Sequence, residues 1–88
     1  MDTKTEKIYW EALDLTVIVF DEFYTCHKQN IDFYETRDEF QRNAAQIREE
    51  KKAAELCGKL ELICALFGVG EDQVHEDLFA LRKARYGR

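Results

Sequence analysis

Few side chains in this 88-residue chain can do chemistry. There is no serine. There are two histidines, His27 and His75, and three cysteines, Cys26, Cys57 and Cys64. Covalent catalysis needs a nucleophile, a base within hydrogen-bond reach and a third group that orients the base. Neither histidine has such a partner nearby in the sequence. Structural zinc needs close Cys or His pairs. Cys57 and Cys64 share a helix face, but seven residues separate their sulfurs by about 10 Å. Asp72 and His75 lie one turn apart, alone. The cysteines read as small, buried apolar side chains. Neither a metal nor a cofactor is expected.

Carboxylate pairs occur at Glu11/Asp14 and Glu35/Asp38. Small all-helical hydrolases hold magnesium with several carboxylates converging from facing helices. Here Glu11 and Asp14 fall on the polar side of a helix, and Glu35 and Asp38 sit at a helix start, where acids are favoured in any case. A carboxylate-metal hydrolase therefore ranks third among the functions considered, and the expectation is a protein that is not an enzyme.

The segment Leu62 to Leu81 has the spacing of a helix-turn-helix: Ile63, Phe67, Gly68 at the turn, Val69, then Val74. If it bound DNA, Gln73, His75, Arg82, Lys83 and Arg85 would make the contacts. Glu71, Asp72, Glu76 and Asp77 would then approach phosphates, and Asp77 occupies a position such motifs keep apolar. Acids at a helix start and bases at its end also complement the helix dipole without any ligand. The formal net charge is −5, so a general affinity for nucleic acid or anionic membrane is not expected. A helix-turn-helix transcriptional regulator is the second reading.

The leading reading rests on where the aromatics lie. Tyr9, Trp10, Phe20, Phe23, Tyr24, Phe33, Tyr34 and Phe40 all fall in the first 40 residues, interleaved with acids. Aromatics anchor interfaces and acids steer towards basic partners. The expectation is a non-enzymatic protein-interaction module: an inhibitor or accessory regulator of the phage or mobile-element type, docking on a larger protein with a basic surface. Trp10, Glu11, Asp14, Leu15, Val19, Phe20 and Phe23 are its interface residues. A homodimer is also expected, with the first helices or the long second helices packed together, because the first helix has more apolar surface than one neighbour covers.

The elements that position these residues are helical. Proline is absent and glycine is rare, which favours long helices over a turn-rich β fold. A first helix is read from Thr5 to Cys26, with two stripes. One is Ile8, Ala12, Leu15, Val19, Phe23 and Cys26; the other is Tyr9, Leu13, Val17, Phe20 and Tyr24. His27 to Glu35 form a connection, with Phe33 and Tyr34 folding inward. Thr36 and Glu39 fit a capping box. A second helix runs from Arg37 to Phe67, with the stripe Phe40, Ala44, Ile47, Ala54, Cys57, Leu60, Cys64 and Phe67, widened by Leu56 and Ile63. Gly68 ends it in the left-handed conformation. The third helix spans Glu71 to Tyr86. The fold class is all-α, a single domain: an open three-helix arrangement in which an antiparallel hairpin with one long central helix carries a shorter C-terminal helix. The start of the chain lacks a signal-peptide pattern, and the longest apolar run, Leu15 to Phe20, is far below the ~20 residues of a membrane span. The chain is expected to be cytoplasmic.

Overall fold

The computed structural model describes residues 1–88 as three helices: α1 Thr3–Asp32, α2 Glu39–Phe67 and α3 Glu71–Tyr86. There is no strand, and the β-prone run Leu15 to Phe20 lies inside α1. No helix is long and apolar enough to cross a membrane.

α1 starts where Asp2 caps it. The Asp2 carboxylate accepts the Thr5 amide at 2.7 Å, and this bond holds its pKa below the usual value. The helix runs six residues past its expected end at Cys26. Nothing from His27 to Asp32 breaks a helix, and the added turns are tied to α2. His27 Nδ1 pairs with the Glu49 carboxylate. Asn30, expected in a turn, stays helical and donates to the Ala45 carbonyl at 3.2 Å. The true turn is therefore only Phe33 to Asp38.

Such a tight turn has no interior. Phe33 and Tyr34 stay more than half exposed, contrary to the expected inward folding. Tyr34 instead lies under the Arg42 guanidinium, 4.3 Å from ring centre to carbon. The capping box also sits two residues later than expected. Asp38 accepts the Gln41 amide at 2.8 Å, and the Gln41 side chain accepts the Asp38 amide at 3.1 Å. Thr36 instead donates to the Phe33 carbonyl.

α1 and α2 run antiparallel, as the contacts Glu22–Lys52, His27–Glu49 and Asn30–Ala45 show. α3 crosses them. Tyr9 and Phe20 are about 16 Å apart along α1, yet they meet Asp77 and His75, two residues apart on α3. The core is Tyr9, Leu13, Val17 and Phe20 from α1, Leu56, Leu60 and Ile63 from α2, and Val74 and Leu78 from α3. Of the two α1 stripes, the second is thus the core stripe. Leu15 of the first is 75 % exposed.

α2 meets the expectation only towards its C-terminal end. Leu60 of the expected stripe is buried with the widening residues Leu56 and Ile63, and Cys64 and Phe67 pack against the core, whereas Phe40 and Ile47 face water at 81 % and 54 % exposure. Cys57 is exposed as well. Apolar residues lie on both sides of this helix, and periodicity alone does not say which side meets α1.

Gly68 ends α2 at φ +64°, donating its amide to the Cys64 carbonyl at 2.9 Å. A Cβ there would touch nothing within 4 Å, so a substitution is penalised only through the backbone. Gly68→Ala should destabilise by about 1–2 kcal/mol, the usual penalty of a left-handed L-residue, with Gly68→Val worse. Urea denaturation followed by circular dichroism measures this; an unchanged midpoint for both would contradict the turn.

Candidate interaction surfaces

Tyr9, at the N-terminal end of α1, is 2 % exposed, yet its hydroxyl donates to Asp77 at 2.6 Å. Burial, then the hydrogen bond and the nearby carboxylate, push the phenol well above its ordinary pKa. The contact explains why an acid stands at a position a helix-turn-helix keeps apolar: Asp77 is the acceptor for a buried hydroxyl. Gln73 donates to the same carboxylate at 2.9 Å.

The far end of α3 is held by charge. Asp21 is buried, with its side chain 9 % exposed. Arg82 Nε donates to it at 2.9 Å, and Arg88 donates twice, at 3.0 and 2.8 Å. Burial alone would raise the Asp21 pKa, but the hydrogen bonds and charges of Arg88 and Arg82 outweigh it, and the net shift is downward. The same pairing raises the Arg88 pKa. Arg85 pairs with the Asp14 carboxylate and donates to the Asp14 carbonyl.

These contacts place the residues proposed for DNA. Arg82 and Arg85 are both held by α1 carboxylates, and Gln73 is held by Asp77. His75 is half-buried against Phe20. Of the lysine and arginines in that set, only Lys83 is without an ion pair, and it is exposed. The basic end of α3 is therefore chiefly a clasp on α1. Sequence spacing could not reveal it, because the partners lie more than sixty residues apart.

The expected protein interface is only partly gathered. Trp10, Glu11 and Leu15 are exposed on α1, and Trp10 packs edge-on against Tyr9. Asp14, expected to face water alone, is paired with Arg85. Val19 and Phe23 are half-buried against the core. Phe20 is fully enclosed by Tyr24, Phe79 and His75 and is out of a partner's reach, which corrects its placement at an outer seam. Ile18, not selected from the sequence, is exposed beside Leu15.

A groove of about 730 Å³ opens at the hairpin turn, lined in part by His27, Asn30, Arg37, Arg42 and Glu49. Its dyad of His27 and Glu49 supplies the orienting partner that the sequence did not suggest. Arg37 donates to the Asn30 side chain at 2.9 Å, and Arg42 to the Tyr34 carbonyl at 2.8 Å.

No three His, Cys, Asp or Glu side chains converge to hold a metal ion. The exposed Cys57 thiol is pushed up in pKa by the Glu61 carboxylate beside it, which disfavours the reactive thiolate. Comparison with known protein families, with characterised proteins and with solved structures finds no match for this chain.

Proposed function

We propose that this chain is a non-enzymatic interaction module that self-associates and regulates a larger protein with a basic surface by docking on it. One observation carries the reading: both long helices keep large apolar side chains in water, including Leu15, Ile18, Phe40, Ile47, Leu62 and Leu66. Monomeric proteins rarely leave contiguous apolar faces without a use. On α1, Leu15 and Ile18 share a face with the exposed acid Glu11, whereas Trp10, also exposed, lies on another side of the helix near Val69, Gln73 and Asp77. The chain's net charge of −5 favours encounter with a basic partner. The expected setting is the cytoplasm. DNA binding is the weaker reading, since Arg82 and Arg85 are committed to α1.

Affinity capture from the native host with the wild-type chain, followed by binding measurements on the purified partner, tests the reading. Trp10→Ala should weaken binding by about 2 kcal/mol, roughly 30-fold, mainly through faster dissociation. Glu11→Lys should slow association, more at low salt. Tight binding to duplex DNA that is lost in Lys83→Ala and kept in Trp10→Ala would overturn the proposal.

A further inference from the structure

The outward face of α2 carries apolar and small residues in alternating steps of four and three: Phe40, Ala44, Ile47, then Ala54, Gly58 and Ala65, with Lys51 and Glu61 filling the steps between. This is the seam spacing of a helix pair. At 100° per residue the face lies nearly opposite Ala45, Leu56, Leu60 and Ile63, which bury α2 against the rest of the chain. Within the molecule only Ala44 of its apolar and small residues is partly covered. Phe40 and Ile47 are mostly exposed, and Ala54, Gly58 and Ala65 are exposed as well. A Cβ on Gly58 would meet nothing within 4 Å. Gly58 therefore serves no close packing inside the chain, although a mid-helix glycine disfavours the helix.

We infer that the occupant of this face is the same face of a second copy, with two α2 helices packed antiparallel about a twofold axis between Lys51 and Ala54. The inference rests on the self-association in the proposed function and assigns its seam to α2, one of the two helices at which the sequence allowed the dimer to form. Two features of the chain select this arrangement. The first is size. In this register Phe40 meets the partner's Ala65, and Ile47 meets the partner's Gly58, so each large residue faces a small one. The second is charge. Arg48 and Glu55 flank the stripe on one side, and the twofold axis brings Arg48 against the partner's Glu55 and Glu55 against the partner's Arg48. Neither belongs to any ion pair within the chain. A parallel pairing in register sets Phe40 on Phe40 and Gly58 on Gly58, and loses the size match. Lys51, at the centre, lays its stem on the partner's Ala54 with the ammonium reaching out to water. Glu61, the other polar seam residue, accepts from Cys57 of its own chain and stands opposite the partner's Ala44; polar residues at seam positions help to fix register. From Phe40 to Ala65 the seam is about 38 Å long.

Sedimentation velocity of the full chain, from micromolar upward, tests this, with circular dichroism confirming that each variant is folded. The wild type should be a dimer. Ile47→Glu should raise the dissociation constant ~10-fold or more by burying a charge without a partner, whereas Leu15→Glu on α1 should leave it unchanged. Arg48→Glu and Glu55→Arg should each weaken the dimer, and the double variant should restore it. A dimer indifferent to Ile47→Glu overturns the α2 seam and leaves self-association standing. Single reversals that weaken without rescue overturn the antiparallel register. A wild-type monomer at hundred-micromolar concentration overturns the seam and self-association together, while docking on another protein still rests on the Trp10 measurement.

Discussion

Phe20→Ala should cost about 3–5 kcal/mol, the range for emptying an aromatic site in a core. The ring is fully buried and lies 4.8 Å from Tyr24 and 4.9 Å from Phe79, centre to centre. It is a main apolar contact of α1 with α3. A domain of this size has a total stability on the order of 5–10 kcal/mol, so the loss would approach or exceed half of it. The variant should unfold at much lower urea and lose near-ultraviolet dichroism before helix content. Leu15→Ala, on the exposed side of the same helix, should change stability by no more than about 0.5 kcal/mol. Equal effects of the two would mean that the stripes of α1 have exchanged roles.

The second large effect is expected at Asp21. Removing its carboxylate leaves Arg82, which is itself only 15 % exposed, charged and without a partner. Breaking a fully buried pair costs about 3–5 kcal/mol. Asp21→Ala should cost about 2–3 kcal/mol, because Arg88, the other partner, is half in water. The pH dependence has a definite sign. The folded pKa of Asp21 lies below its unfolded value. Its contribution is therefore present above the unfolded value, near 4 for aspartate, and is lost as pH falls through the folded pKa. Denaturation midpoints measured from neutral pH into acid should fall less steeply in Asp21→Asn than in the wild type, with the two curves converging in acid. Parallel curves would show that the carboxylate is not bound as described.

Helix number and type were legible in the residues themselves, because they follow from local rules. Without proline, with apolar residues at three- and four-residue steps and with glycine at Gly68, the chain has few alternatives to three long helices. The end of α2 at Gly68 and the span of α3 could be read from single positions. The end of α1 could not. Asn30 and Asp32 favour turns in general, but here Asn30 gains a carbonyl on α2, and a tertiary hydrogen bond overrides the local preference. The capping box shifted for a similar reason: Asp38 competes with Thr36 as a cap, and helix start signals are ambiguous over a turn.

Only the tertiary structure decided which faces are inside. α1 and α2 each carry two apolar stripes, and periodicity gives their spacing without saying which one meets a neighbour. Crossing by α3 selects Tyr9, Leu13, Val17 and Phe20 on α1, and Leu56, Leu60 and Ile63 on α2. The polar partnerships are equally nonlocal. Asp77 looks misplaced until Tyr9 is beside it, and Arg82 and Arg85 look available for phosphate until Asp21 and Asp14 are seen to hold them. Attraction between charges depends on separation in space, and the chain brings these together across more than sixty residues. The same ordering leaves Phe40, Ile47 and Ala54, from the N-terminal part of the stripe first read as core, in water, while Leu60, Cys64 and Phe67 of that stripe join or pack on the core.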